Sequence, residues 1–393
     1  MKKVSVLLMI GLIITGCENG RQSSSENEDY ITVKVTASYP QKELILQDFM
    51  DVEYILLEDA DEFITQGVVR DVGKDFIIVT NSNQVDDGDI LFFDRQGKGL
   101  RKINRKGQGG EEYTFILGIT LDEENNEMFV NDHMTRRILV YDLYGKFKRV
   151  IKSTKEGVNY YSKIFNYDND NLICFDNFFP GQDEEIKRNS FYVVSKQDGS
   201  IKELGIPFKK KLSTVMGVQR GEYTLSDGPR NCQFIPFQTD WIITEASSDT
   251  VYRYKPDGSM FPFIVRTPSV QSMEPIVFLF PGVLTGNYYF MQTTKMEYDF
   301  DSNRGFPRTD LGYDTREKTI FNCTVYNDDY TNKRPVNMFQ DPTSAEIAFW
   351  QRIEAYQLVE SYEKNELKGK LKEFAEKMNE ESNPVIMLVK NKK

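Results

Sequence analysis

Four segments of this chain share one form, an apolar and aromatic run followed by a turn with glycine, and that repeat limits the fold more than any other feature. The runs are Ile90-Leu91-Phe92-Phe93 before Gly97, Leu139-Val140-Tyr141 before Gly145, Phe191-Tyr192-Val193-Val194 before Gly199, and Val251-Tyr252-Arg253-Tyr254 before Gly258. The glycines lie 48, 54 and 59 residues apart. Asp-Gly and Asp-x-x-Gly between apolar runs supply the positive backbone angles that tight hairpins need. An earlier hairpin stands in each unit, as in Gly118 to Asp122 followed by Met128 to Val130. Each unit therefore holds four short strands.

Such units predict an all-β chain, a six-bladed β-propeller in which radial stacking buries both faces of every sheet. Residues 66–103, 115–151, 161–204, 217–264 and 276–325 make five blades. The sixth is expected to be closed by both chain ends, with Tyr30 to Val35 and Val52 to Leu57 from the front and Val385 to Val389 from the back. A C-terminal helical segment is predicted over about 343–380. There Thr343-Ser344-Ala345-Glu346 has the spacing of a capping box, and Ile347, Trp350, Ile353, Leu367, Leu371, Phe374 and Met378 recur at three and four residues. Its apolar stripe needs a partner surface, so it should lie across a face or the rim of the propeller.

The front of the chain reads as an address. Lys2-Lys3, an apolar stretch from Val4 to Ile14 and then Ile14-Thr15-Gly16-Cys17 form a secretory signal over residues 1–16. Eleven apolar residues rise only about 16 Å as a helix, roughly half the apolar thickness of a bilayer. The same residues match the bacterial lipobox, which makes Cys17 the acylated first residue of the mature protein and its acyl chains the anchor. Residues 17–29 then read as a flexible, Ser-rich and acidic tether, and 30–393 as one propeller domain. The expected location is the bacterial cell envelope, at the outer membrane. Removing Lys2 and Lys3 leaves 47 basic against 60 acidic residues, a mature charge of −13. That charge repels nucleic acid, so none is expected as a partner. After Cys17 only Cys174, Cys232 and Cys323 remain, an odd and widely spaced set that reads as buried free thiols.

The run from Val130-Asn131-Asp132 through Arg136-Arg137-Ile138-Leu139-Val140-Tyr141-Asp142 to Gly145-Lys146-Phe147 closely resembles an NHL repeat. Asp51-Val52-Glu53-Tyr54-Ile55, Gly107-Gln108-Gly109-Gly110, Ser248-Asp249-Thr250-Val251-Tyr252 and Asn383-Pro384-Val385 extend the likeness. With them the chain resembles the secreted, NHL-like six-bladed propeller lipoproteins of bacteria over nearly its full mature length. The resemblance implies the fold and carries no activity. It also implies that Asp132, Arg136 and Arg137 hold a loop and pair neighbouring blades.

The residue inventory weighs against several chemistries. His133 is the one histidine. A zinc lyase of the NHL-like kind needs several, and a Ser-His-Asp hydrolase would need this one together with a Gly-x-Ser-x-Gly elbow that the sequence lacks. Gly107-x-Gly109-Gly110 precedes a strand and has no following Lys-Ser or Lys-Thr, so it reads as an interblade turn rather than a phosphate cradle. Calcium is the one metal with a candidate loop: Asp299, Asp301 and Asn303 alternate, with Asp310 at the twelfth position, but Arg304 stands where a calcium loop has glycine. No cofactor is expected otherwise. The reading is a lipid-anchored, non-catalytic binding or scaffold module for a peptide, a glycan or an envelope protein. The alternative is a calcium-assisted or carboxylate-based propeller hydrolase acting on glycans or small esters.

Overall fold

A computed structural model describes residues 30–82, 87–132, 134–155, 157–158, 161–176, 189–342, 344 and 346–392. Three blades are plain four-stranded antiparallel sheets, each running in sequence order between axis and rim. Blade one is Val68–Val72, Phe76–Thr80, Asp89–Asp94 and Gly99–Asn104. Blade two is Ile116–Asp122, Glu127–Asp132, Arg137–Asp142 and Phe147–Ile151. Blade three is Tyr161–Asn166, Asn171–Asp176, Phe191–Ser195 and Ile201–Glu203. The two middle strands of each are buried along almost their whole length, because a neighbouring blade covers each face. Outer strands such as Gly99–Asn104 alternate between exposed and shielded positions. Phe92 and Phe93, on opposite faces of one strand, are both wholly buried, one against blade two and one against blade six. Burying each contributes roughly 2–3 kcal/mol.

Five of the six blades share a further device. The pairing of inner and second strand slips at Val69/Asp71, Ile116/Gly118, Tyr161/Lys163, Pro281/Leu284 and Ile347/Phe349. Such bulges add local twist, which suits strands that crowd an axis.

Blades four and five each carry an extra edge strand from the N-terminal part of the chain. Blade four is Phe234–Phe237, Asp240–Ile243, Thr250–Tyr254 and Met260–Thr267, with Ile31–Lys34 added in parallel along its rim. Blade five is Val277–Leu284, Tyr288–Lys295, Arg308–Asp314 and Thr319–Asn327, with Gln41–Ile45 in parallel. The expected place of Tyr30 to Val35 in the closing blade is therefore corrected: Ile31 pairs with Ile264 of blade four. Blade four also starts later than 217, because Met216–Arg220 and Tyr223–Asp227 form a separate exposed hairpin.

Blade six is closed by both ends of the chain, as Met50–Leu56 pairs with Val385–Asn391 in the register Val52 to Val389. Its inner strand is Ile347–Ile353, which corrects the helix expected to begin near 343. Ser344 Oγ accepts the Ile347 N–H at 3.1 Å and closes a turn in front of a strand, while Thr343, the capping residue of the expected box, lies outside the described residues. The ladder with Val385–Asn391 and the burial of Ile347, Phe349 and Ile353 override the helical spacing. Among the described residues of this C-terminal part, helices occupy Ala355–Glu363 and Gly369–Ala375. Their buried Leu358 and Leu371 pack in one core with Tyr54 and Phe349 of blade six and with Phe290 and Phe321 of blade five.

Arg352, near the end of Ile347–Ile353, donates to the Gln66 carbonyl at the foot of blade one, so this strand runs against blade one's inner strand. The segment before it links blades five and three and reaches the axial cavity. Val283 N–H donates to the Met338 carbonyl, Asp341 pairs with Lys163 of blade three's inner strand, and Ser344 reaches the axial cavity.

Candidate functional site: an axial funnel

The inner strands of blades one to four end around a cavity of about 760 Å³. Each strand delivers its last residues and its turn to the wall: Val72 to Asp75, Leu121 to Glu124, Phe165 to Tyr167, and Gln238 to Trp241. The walls differ in chemistry. On one side Trp241 lies 5.7 Å from Phe165 and 6.2 Å from Tyr167, and Tyr167 stacks on Tyr254 at 6.0 Å. Burial raises the Tyr167 hydroxyl's pKa well above its ordinary value, with Tyr254 adding to the rise.

The other side is acidic, and most of its carboxylates already tie blades together. Glu123 of blade two accepts the N–H groups of Lys74 at 2.6 Å and Phe76 at 3.0 Å from blade one. Asp71 of blade one accepts from Leu121 N–H of blade two at 2.7 Å and from Val72 N–H at 2.7 Å. Burial pushes the Asp71 carboxyl up to about 7 against these bonds. Asp122 holds Lys196 of blade three at 2.7 Å, while on the aromatic side Asp240 of blade four takes the Arg253 guanidinium of its own blade. Asp75, Glu124, Asn166 and Gln238 add polar groups to the lining. Flat aromatic surface opposite a row of acceptors can stack a ring and bind its hydroxyls.

The residues singled out in the sequence lie elsewhere. Asp132 accepts from Thr114 N–H at 3.1 Å, Thr114 Oγ1 at 2.8 Å and Thr135 Oγ1 at 2.6 Å. Arg137 donates to the Glu112 carbonyl at 3.2 Å and Arg136 sits in the turn at φ +53°, so this group fastens the strand-to-strand turn to the loop entering blade two. Asp299 accepts from Asp301 N–H and Ser302 Oγ within a hairpin, Asp301 pairs with Arg220, and Asn303 accepts from the Tyr298 hydroxyl at 2.5 Å. Asp310 lies outside that hairpin, in the blade-five strand Arg308–Asp314, where Gln292 donates to it at 2.7 Å. Among the described residues no group of three or more His, Cys, Asp or Glu side chains could hold a metal ion. Cys174, Cys232 and Cys323 are free and buried. Cys17 and His133 lie outside the described residues.

Residues 21–343 match the family DUF5128, described as a 6-bladed beta-propeller. The chain belongs to that family. The DUF5128 match ends just before Ile347–Ile353 and Val385–Asn391, the two strands that the C-terminal part gives to blade six. Among curated proteins, none matches the chain. In fold the chain is similar to a protein of Bacteroides fragilis NCTC 9343 described as exported, at 14% identity and TM-score 0.59, over 93% of this chain and 100% of that one. A member of the duf4221 family from Bacteroides vulgatus shows 11% identity and TM-score 0.49, over 88% of this chain and 98% of that one. These likenesses concern the fold.

Proposed function

We propose that this DUF5128 propeller is an exported, lipid-anchored module of the bacterial envelope, held at the outer membrane, that binds a glycan in its axial funnel without chemical turnover. The observation that carries the reading is the two-sided funnel: an aromatic shelf of Phe165, Tyr167 and Trp241 faces acceptors on blades one and two. Ring faces stack on such shelves while sugar hydroxyls donate to carboxylates and amides. The hydrolase alternative has less support, because Asp71, Asp122, Glu123 and Asp240 are each committed to contacts that hold the fold. A carboxyl pair for acid and base work needs room for substrate and water between its members.

The anchor suits this site. Ile31–Lys34 runs parallel to Met260–Thr267, which leads away from the turn at Asp257-Gly258 on the funnel side, so Ile31 is its end nearer the funnel face. Twelve residues lie between Cys17 and Tyr30, so the two are at most about 45 Å apart. The funnel is then within reach of the membrane-associated layer. A thermal-shift screen of the full chain with maltohexaose, cellohexaose and mannohexaose, repeated on Tyr167→Ala, tests the reading. At least one hexamer should stabilise the wild type and lose that effect in the variant; stabilisation by none, or equal stabilisation of both proteins, contradicts it.

A further inference from the structure

A second cavity, of about 480 Å³, opens in the cleft between blades four and five. Its floor is a pair of tyrosines, Tyr289 and Tyr313, stacked at 6.0 Å with 24° between the rings, and Phe263 packs 5.3 Å from Tyr289. Phe261 is 47% exposed at the rim. Two cations complete the lining. Arg253 is fixed by its bond to Asp240, and its guanidinium lies 5.9 Å from the Phe237 ring. The Lys255 ammonium stands 4.7 Å from the centre of the Phe261 ring.

The neighbouring acids are each engaged with a partner. Asp240 is taken by Arg253, Asp314 beside Tyr313 by Lys42 at 3.1 Å, and Asp257 accepts from Ser259 N–H at 2.8 Å in its turn. In a chain of net charge −11, the cleft brings together Arg253, paired with Asp240, and Lys255, whose ammonium lies over the Phe261 ring, beside a floor of stacked tyrosines. Arg253 also joins this cleft to the funnel, since its partner Asp240 lines the larger cavity.

We propose that the cleft between blades four and five is a second binding site, for an acidic sugar of the uronic acid class. The ring face covers Tyr289 and Tyr313, and the carboxylate sits between Arg253 and Lys255. A neutral sugar would not engage the charge of Lys255, and an acidic peptide would leave the rings uncovered. The site does not depend on the funnel being a glycan site.

The test is calorimetric titration of the full chain with tetragalacturonic acid and with the neutral galactose tetramer. The acidic tetramer should bind about tenfold tighter than the neutral one, and the preference should shrink as salt is raised. Lys255→Glu should weaken the acidic tetramer by about tenfold or more at unchanged melting temperature, and Tyr313→Ala should weaken it as well. Tyr167→Ala, which removes a ring that lines the funnel and not the cleft, should leave this binding as it is. Equal affinity for both tetramers, an unaltered affinity in Lys255→Glu, or loss of binding in Tyr167→Ala would each overturn the proposal, as would the absence of binding at millimolar tetramer.

Discussion

Lys196 of blade three places its ammonium 2.7 Å from Asp122 of blade two, with the two side chains 2% and 3% exposed. The same ammonium donates to the carbonyls of Asp168 and Asn169, so one cation closes the Asp168 to Asn171 turn and fastens it to the next blade. A buried pair of this kind adds little over a well-packed apolar pair, but removing one partner strands the other charge. Lys196→Met should therefore lower unfolding free energy by about 3–5 kcal/mol, and Asp122→Leu/Lys196→Met should recover much of that loss. Urea denaturation of the three proteins measures both. Additive losses in the double variant would contradict the pairing.

Asp71 gives the funnel a pH dependence with a definite sign. Burial holds its carboxyl at about 7, with Glu123 adding to the rise, against an ordinary value of 3.8. Between those values the folded protein keeps a proton that the unfolded chain has released, so this group's contribution to stability falls as pH rises through the window and levels off above it. The loss is on the order of 2–4 kcal/mol. Asp71→Asn removes the titration, so the stability difference between wild type and variant should shrink in the wild type's disfavour from pH 5 to pH 8. Parallel stability curves for the two proteins would refute this assignment.

Calcium should leave the melting temperature unchanged. Asp299 and Asn303 already accept bonds within their hairpin, and Asp301 is paired with Arg220. A rise of several degrees on adding millimolar calcium, reversed by EDTA, would show that the hairpin rearranges around an ion.

The proposed acylation of Cys17 predicts that Cys17→Ala moves the protein from the membrane fraction to the soluble fraction of cells. Retention of the variant in membranes would count against the lipobox reading.

Much of the architecture is legible in the sequence because it is local. The turn glycines Gly97, Gly145, Gly199 and Gly258 all have positive φ, at +88°, +85°, +72° and +84°, which their spacing with Asp and apolar runs anticipates. Contacts set by distant partners are not local. Ile31 joins Ile264 across more than two hundred residues, and no pattern in Ile31-Thr32-Val33-Lys34 names its partner. Seven residues from Ile347 to Ile353 fit a helical and an extended spacing alike, and only the ladder to Val385–Asn391 decides between them. The funnel was hidden for the same reason. Tyr167 and Trp241 stand 74 positions apart and meet because blades three and four bring two turns to one axis.

The proposed glycan sits against Trp241 in the funnel, and the chain carries its own reporter. It has two tryptophans, and Trp350 lines a different cavity. In a Trp350→Phe variant all tryptophan fluorescence comes from Trp241, so titration with the hexamer that stabilises the protein should give a saturable change in intensity or wavelength. Tyr167→Ala in the same background should abolish that change. A hexamer that stabilises the protein yet leaves Trp241 fluorescence flat would place the ligand elsewhere and contradict the funnel as the binding site.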